Sequence, residues 1–243
     1  MRAIELLFPR KCVMCDTVLP QMVFEKDEGA IGYLCDDCKK KYSPIKEPLC
    51  KKCGRALRQE EKEYCSECTV RIREFSSGRA MFTYEGDMKK VMYRFKYSNM
   101  KWYAEFFEKV CVENLSGWIK DMDFDLVIPV PLHRKKYKKR GYNQADIIGR
   151  RIAERLDITY SDSVVERSAE TAPQKFLGFE ERKNNLKNAF NIRNDSVLLD
   201  CEKVLIVDDI FTTGATVDSI AELLKTDRDR EIFFLCVCIG GDD

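Results

Sequence analysis

Residues 204–216 read VLIVDDIFTTGAT. Four aliphatic side chains run into two adjacent aspartates, Asp208 and Asp209, and these into three threonines set around Gly214. The apolar run KVLIV (203–207) predicts a buried strand that ends at Val207, with a helix opening at Ala215. Hydroxyls, a glycine and the free N–H groups of a helix N-terminus make a pocket for a phosphate. Ionised carboxylates only accept hydrogen bonds, which suits them to a pair of sugar hydroxyls or to hydrated Mg2+. Phosphate at one end and diol at the other describe a ribose 5-phosphate. A helix cap alone requires one such side chain, worth about 1 kcal/mol, and leaves the second acid and the other threonines without a task. The Gly-Lys-Ser/Thr ending of a Walker loop is absent.

A second chemistry lies near the start of the chain. Eight of the twelve cysteines form CxxC pairs: Cys12/Cys15, Cys35/Cys38, Cys50/Cys53 and Cys65/Cys68. A CxxC turn aims two sulfurs at one centre, so four pairs supply two tetrahedral zinc sites, each of four cysteines. Sequential pairing, Cys12, Cys15, Cys35 and Cys38 followed by Cys50, Cys53, Cys65 and Cys68, needs only short loops and is preferred; an interleaved pairing stays open. Four thiolates leave no open coordination position, so the zinc is structural. The polar segments between the pairs cannot build a core, and metal must supply folding energy. Gly54, directly after a knuckle cysteine, allows the positive φ such turns often need. Each Zn2+ with four thiolates carries net −2, so two sites turn the slight positive excess of residues 1–75 negative. A docking or structural role for this head therefore weighs as much as nucleic-acid reading. Cys111, Cys201, Cys236 and Cys238 stand among apolar neighbours and read as small core residues.

Both chemistries need elements to hold them. Hydrophobic residues make up 44% of the 243 and charged residues 34%, a globular balance, and no apolar run reaches the ~20 residues of a membrane span. No secretory signal is read at the start, so the expected compartment is the cytoplasm, where thiols stay reduced. Net charge is +1 but unevenly spread. Residues 86–150 carry 14 basic against 8 acidic side chains, and residues 151–243 carry 12 against 19. The basic middle suits a phosphate-rich ligand or nucleic acid. Met88, Val91, Met92 and Phe95, then Trp102, Phe106, Val110 and Cys111, predict amphipathic helix broken near Ser98-Asn99. FDLVIPVP (124–131) predicts a buried strand that ends in a sharp turn, leading into the loop HRKKYKKRGYNQ (133–144). Ala145, Ile148, Ile152 and Leu156 predict a helix, Val164-Val165 a short strand, 168–188 a long mobile loop and IFFLCVC (232–238) a last buried strand. The expected fold is α/β: a mostly parallel sheet with flanking helices over 80–243, preceded by a zinc-ribbon module over 1–75. Such sheets bind ligands beyond the C-terminal strand ends, where Asp208 and Asp209 fall.

VLIVDDIFTTGAT resembles the phosphoribosyl-pyrophosphate (PRPP) motif of type I phosphoribosyltransferases. With four CxxC pairs in front and PVPLHRKKYKKRGYNQA between, nearly the whole chain resembles the ComF/ComFC competence proteins, a double zinc ribbon fused to a phosphoribosyltransferase domain. The resemblance implies that Asp208 and Asp209 bind ribose and that Thr212, Thr213, Gly214, Ala215 and Thr216 cradle the 5-phosphate. Mg2+ would bridge ribose and pyrophosphate. The loop after FDLVIPVP would face the pyrophosphate, with Arg134, Lys135 or Arg140 neutralising it, though Pro129 and Pro131 remove two N–H donors. RGYNQA (140–145) matches the family's RGFNQA, and TAPQ (171–174), Arg182, Asn185 and Ala189-Phe190 match its closing loop. His133 reads as an exposed turn residue. Three functions fit: phosphoribosyl transfer to an unidentified acceptor; a DNA-uptake accessory that binds single-stranded DNA through the basic segment with Tyr137 and Tyr142; and a zinc-ribbon adaptor that docks a helicase.

Overall fold

In the computed structural model of this chain, residues 9–20, 28–59, 62–168, 189–194 and 196–241 are described. Five strands form one all-parallel sheet in the order β1 (Ser77–Thr83), β7 (Glu231–Ile239), β6 (Lys203–Phe211), β2 (Leu126–Pro129), β3 (Thr159–Tyr160). A parallel sheet needs crossovers and is covered on both faces, which explains its continuous apolar runs. Residues 232–239 of β7 are all buried. Helices α1 (Gly86–Tyr97), α2 (Tyr103–Met122) and α4 (Gln144–Leu156) pack one face; α5 (Ala215–Leu224) packs the other. The buried positions Met88, Val91, Met92 and Phe95 in α1 follow the helical spacing, and the break before α2 contains Asn99 at φ +54°. A small antiparallel pair, β4 (Val165–Arg167) with β5 (Phe190–Ile192), stands apart from the main sheet.

Two expectations change. HRKKYKKRGYNQ is not a loop: Arg134–Arg140 is helix α3, capped by His133, whose Nδ1 accepts from the Lys135 N–H at 3.4 Å. Lys and Arg are good helix formers, so a basic run without apolar periodicity still forms a helix once its ends are capped. The second change is that β6 continues beyond Val207 to Phe211. Asp208, Ile210 and Phe211 keep pairing with Cys236, Cys238 and Ile239 of β7, while β2 stops pairing at Pro129–Val207. The acidic pair therefore sits inside a strand whose other edge has just lost its neighbour.

The cysteine pairs form two knuckles of one design. Each first pair lies in a tight turn, closed by Asp16 N–H to Cys12 C=O and by Gly54 N–H to Cys50 C=O, both at 2.8 Å. Each second pair starts a helical turn, Asp36–Lys39 behind Cys35 and Ser66–Val70 behind Cys65. The knuckles lie on opposite sides of the sheet. Cys12, Val13, Leu34 and Cys38 join the core that contains Val91, Phe107, Leu205 and Val237; Cys50, Cys53, Leu57 and Cys65 join the core that contains Ile206, Ile220 and Phe234. Gly54 has φ +71°, and a Cβ there would lie 2.4 Å from the Gly78 carbonyl oxygen, so the glycine also lets the second knuckle press against β1. Cys111, Cys201, Cys236 and Cys238 are buried, as expected of core residues.

Candidate functional site

Pro129 ends β2 and the chain turns away, so beyond Val207 the edge of β6 opens onto a cavity of about 420 Å³. Asp208, Asp209, Thr212 and Thr216 line it, as do Lys96 of α1, Lys136 and Arg140 of α3, and Arg167 of β4. Acids, hydroxyls and cations thus meet at the C-terminal strand ends.

Lys96 Nζ lies 2.9 Å from Asp209 Oδ1 and Arg140 Nη1 lies 3.8 Å from Oδ2, so both oxygens of Asp209 face a cation. Asp208 accepts the Asp209 N–H at 2.7 Å. Burial, reinforced by the Asp209 carboxylate, pushes the Asp208 carboxyl up to about 7. Partial desolvation of its ammonium at the cavity wall, with Arg167, Arg140 and Lys96 nearby, lowers the Lys136 pKa although the residue as a whole is exposed. The cavity therefore holds an acid close to its titration point and a cation cluster that an anion would relieve.

Each residue of RGYNQ has a task. Arg140 reaches into the cavity and donates to Gln144 Oε1 at 2.9 Å. Gly141 closes α3 with φ +78°. Tyr142 is 4% exposed and its hydroxyl donates to the Phe95 carbonyl, so it is a buried bolt between α1 and α4 and is not open for base stacking. Asn143 caps α4 through the Ala145 N–H and donates to the Val130 carbonyl at 3.0 Å. Gln144, fully buried, donates to the Phe95 carbonyl at 3.2 Å. Tyr142 and Gln144 thus tie the end of α1, which carries Lys96, to the helix that follows Arg140.

On the far side of the acids, Gly214 caps α5 with φ +82° and its carbonyl accepts from the Asp218 N–H at 2.8 Å. The first-turn N–H groups of α5 have no partner within the helix and are available to an anion. Thr212 is exposed, and Thr213 and Thr216 are partly exposed. Thr213, Gly214 and Ala215 form the turn itself, while Thr212 and Thr216 provide its wall to the cavity. Arg134 and Lys135 lie at the exposed start of α3, outside the residues that line the cavity; Lys136 and Arg140 stand there instead. The helical turn of α3 decides this, since residues 136 and 140 share a face and 134 and 135 do not. TAPQ (171–174), Arg182 and Asn185, in the segment expected to form a long loop, fall outside the described residues. Lys96 and Arg167 carry no sequence signal, since each comes from an element distant in the chain.

The sulfurs of Cys12, Cys15, Cys35 and Cys38 lie within 4.8 Å of one another, and so do those of Cys50, Cys53, Cys65 and Cys68, so the pairing is sequential. Cys15–Cys35 at 3.6 Å and Cys53–Cys65 at 3.7 Å match the ~3.8 Å edge of a tetrahedron of four sulfurs around zinc with Zn–S of about 2.3 Å. Both donor sets fit structural zinc. Among the described residues, no helix is long and apolar enough to cross a membrane.

Residues 3–69 match the double zinc ribbon domain family, and residues 138–243 match the phosphoribosyl transferase domain family. Competence protein F of Haemophilus influenzae is 29% identical over 79% of this chain and 84% of that protein. Competence protein ComFC of Streptococcus pneumoniae is 26% identical over 91% and 96%. DNA utilization protein YhgH of Escherichia coli K12 is 35% identical over 47% and 49%, about half of each chain.

Proposed function

From a chain that belongs to the ComF/ComFC family, a double zinc ribbon joined to a phosphoribosyl transferase domain, we propose a protein that binds PRPP with Mg2+ in the β6 cavity. The binding or transfer of its phosphoribosyl group would serve DNA uptake and utilisation in the cytoplasm. The observation that carries this reading is the single cavity shared by Asp208, Asp209, Thr212, Thr216 and four cationic side chains. The turn over 212–216 takes the 5-phosphate, and Asp208 and Asp209 take the ribose hydroxyls. Lys136, Arg140 and Arg167 face the pyrophosphate, with Arg182 a further candidate; Arg134 and Lys135 would steer anions toward the cavity from outside. The division into 1–75 and 80–243 is proposed on the same footing; β1 begins at Ser77, in the short interval between the two units.

If transfer occurs, a C1–O bond of the ribose breaks, pyrophosphate leaves with the electron pair, and an acceptor nucleophile bonds to C1. Lys136, Arg140 and Arg167 stabilise the leaving group through charge, and tight positioning does the rest. Mg2+ would add charge neutralisation at the pyrophosphate, with Asp208 and Asp209 the carboxylates placed to face it. Lys96 keeps Asp209 in place until ribose hydroxyls compete for its oxygens.

Calorimetry with PRPP and Mg2+ tests the proposal. Wild type should bind, and Asp208→Asn with Asp209→Asn should lose most of the affinity; equal binding by the double variant overturns the reading.

One observation supports a second reading, a non-catalytic accessory that binds single-stranded DNA and docks a helicase. Tyr93, Tyr97 and Tyr137 are exposed, Tyr93 and Tyr97 sit 5.1 Å apart, and Arg140 lies over the Tyr97 ring at 5.2 Å. Aromatic faces among cations suit unpaired bases. Such binding would fall steeply with salt and survive Asp209→Ala.

A further inference from the structure

Two arginines of the second knuckle reach the phosphate turn. Arg73 is 7% exposed and Arg55 is 4% exposed, so neither charge is solvated and each must be matched by fixed acceptors. Arg73 Nη1 donates to the Thr213 carbonyl at 2.7 Å and to Asp218 Oδ2 at 2.9 Å. Arg55 Nη2 donates to the Thr212 carbonyl at 3.4 Å. Both arginines converge on Glu67, whose Oε2 is 3.3 Å from Arg73 and 4.0 Å from Arg55. Glu67 lies inside the CSEC turn, between metal-ligand candidates Cys65 and Cys68.

In a trans peptide the C=O and the next N–H point in opposite directions. Holding the carbonyls of Thr212 and Thr213 against the arginines therefore turns the N–H groups of Thr213 and Gly214 away from them. Packing agrees. A Cβ on Gly214 would lie 2.8 Å from Arg73 Nη1 and 2.6 Å from the Phe211 ring, so the glycine is required by the arginine as well as by φ. Phe75, Phe211 and Phe234 interlock beneath, with Phe211 and Phe234 stacked at 4.4 Å.

We propose that the second knuckle is a positioning element of the anion turn: Glu67 orients Arg73 and Arg55, which hold the Thr212 and Thr213 carbonyls so that the following amides face a phosphate. Arg73, Arg55 and Glu67 are positioning residues, since they reach the ligand only through the turn. This rests on the ribose 5-phosphate reading above.

The test uses full-length protein with both zinc sites loaded, titrated separately with ribose 5-phosphate and with magnesium pyrophosphate. Glu67→Ala and Arg73→Lys should retain both zinc ions and lose about tenfold in ribose 5-phosphate affinity, the scale of one lost hydrogen bond to a charged group. Pyrophosphate affinity should not change. Wild type supplies a reading that needs no variant. Because coupling is reciprocal, bound ribose 5-phosphate should slow removal of one of the two zinc ions by a thiol reagent. Affinities of both variants within about twofold of wild type, a parallel loss of pyrophosphate, or unprotected zinc each overturn the relay. A wild type that binds no ribose 5-phosphate overturns the pocket reading itself.

Discussion

The two knuckles have the same four-cysteine layout but grip the body in opposite ways. At the first, the body holds the knuckle: Arg94 of α1 donates to the Val13 and Met14 carbonyls, each at 2.7 Å, and Glu113 of α2 accepts the Ala30 N–H at 2.6 Å. At the second, the knuckle holds the body: Arg55 and Arg73 donate outward to the Thr212 and Thr213 carbonyls. The first contains an exposed ligand candidate, Cys15, whereas Cys50, Cys53 and Cys65 of the second are all buried. Identical chelate chemistry thus serves two purposes, and the side that supplies the arginines separates them. An arginine of the body grips the first knuckle; arginines of the second knuckle grip the turn after β6.

The largest expected effect comes from Cys53→Ser. It removes a buried ligand of the knuckle whose arginines hold the Thr212 and Thr213 carbonyls, so the second zinc, the native fold around it and ribose 5-phosphate binding should all be lost, as metal analysis, thermal melting and calorimetry would record. Cys15→Ser at the exposed corner of the first site should also cost one zinc but leave ribose 5-phosphate binding within a few fold of wild type. Equal loss in both variants would erase the difference between the two knuckles.

Next in size is Arg94→Met. It takes away the shared donor of two carbonyls and should destabilise the chain by about 2–4 kcal/mol in urea unfolding. Because Arg94 grips a knuckle and touches no part of the turn, phosphate affinity should hold once the protein is folded. Gly214→Ala should lower stability by about 1–3 kcal/mol, since it forces a side chain into positive φ and against Arg73. Unlike Arg94→Met, it should also weaken phosphate binding.

A smaller effect concerns pH. The Asp208 carboxyl stands near 7 in the fold against an ordinary 3.8, so the folded state holds a proton that the unfolded chain has released. Its unfavourable contribution is absent below about pH 4 and grows until ionisation is complete above about pH 7. Asp208→Asn should therefore raise the melting temperature by a few degrees at pH 8 and by little at pH 4. Magnesium-dependent PRPP binding, which wants the ionised acid, should strengthen from pH 6 to 8 in wild type more than in Asp208→Asn. The reverse order would remove Asp208 from the ligand.

Much of this was legible because local chemistry is strongly specified. CxxC spacing announces a chelate whatever surrounds it, and the apolar period of α1, α2 and α4 announces buried faces. The ligands of the cavity were less legible. Arg134, Lys135 and Arg140 were equal candidates until α3 formed and its face chose Lys136 and Arg140. Tyr142 reads as an available aromatic in the chain and is a core residue in the fold. Val207 reads as a strand end because polarity begins there, yet hydrogen bonding to β7 carries the strand on to Phe211.

Sequence alone determined the two chelates, the alternation of strand and helix, and the stretch of acids, threonines and glycine that invites a phosphorylated sugar. These depend on residue type and on spacings of a few positions. Tertiary structure decided that Lys96 would face Asp209 from a helix far back in the chain, that α3 would point two cations inward, and that one knuckle would be anchored while the other orients the turn. The physical reason is reach: short-range spacing fixes what a segment can bind, whereas which distant charge comes into contact with it depends on how the sheet and its helices pack.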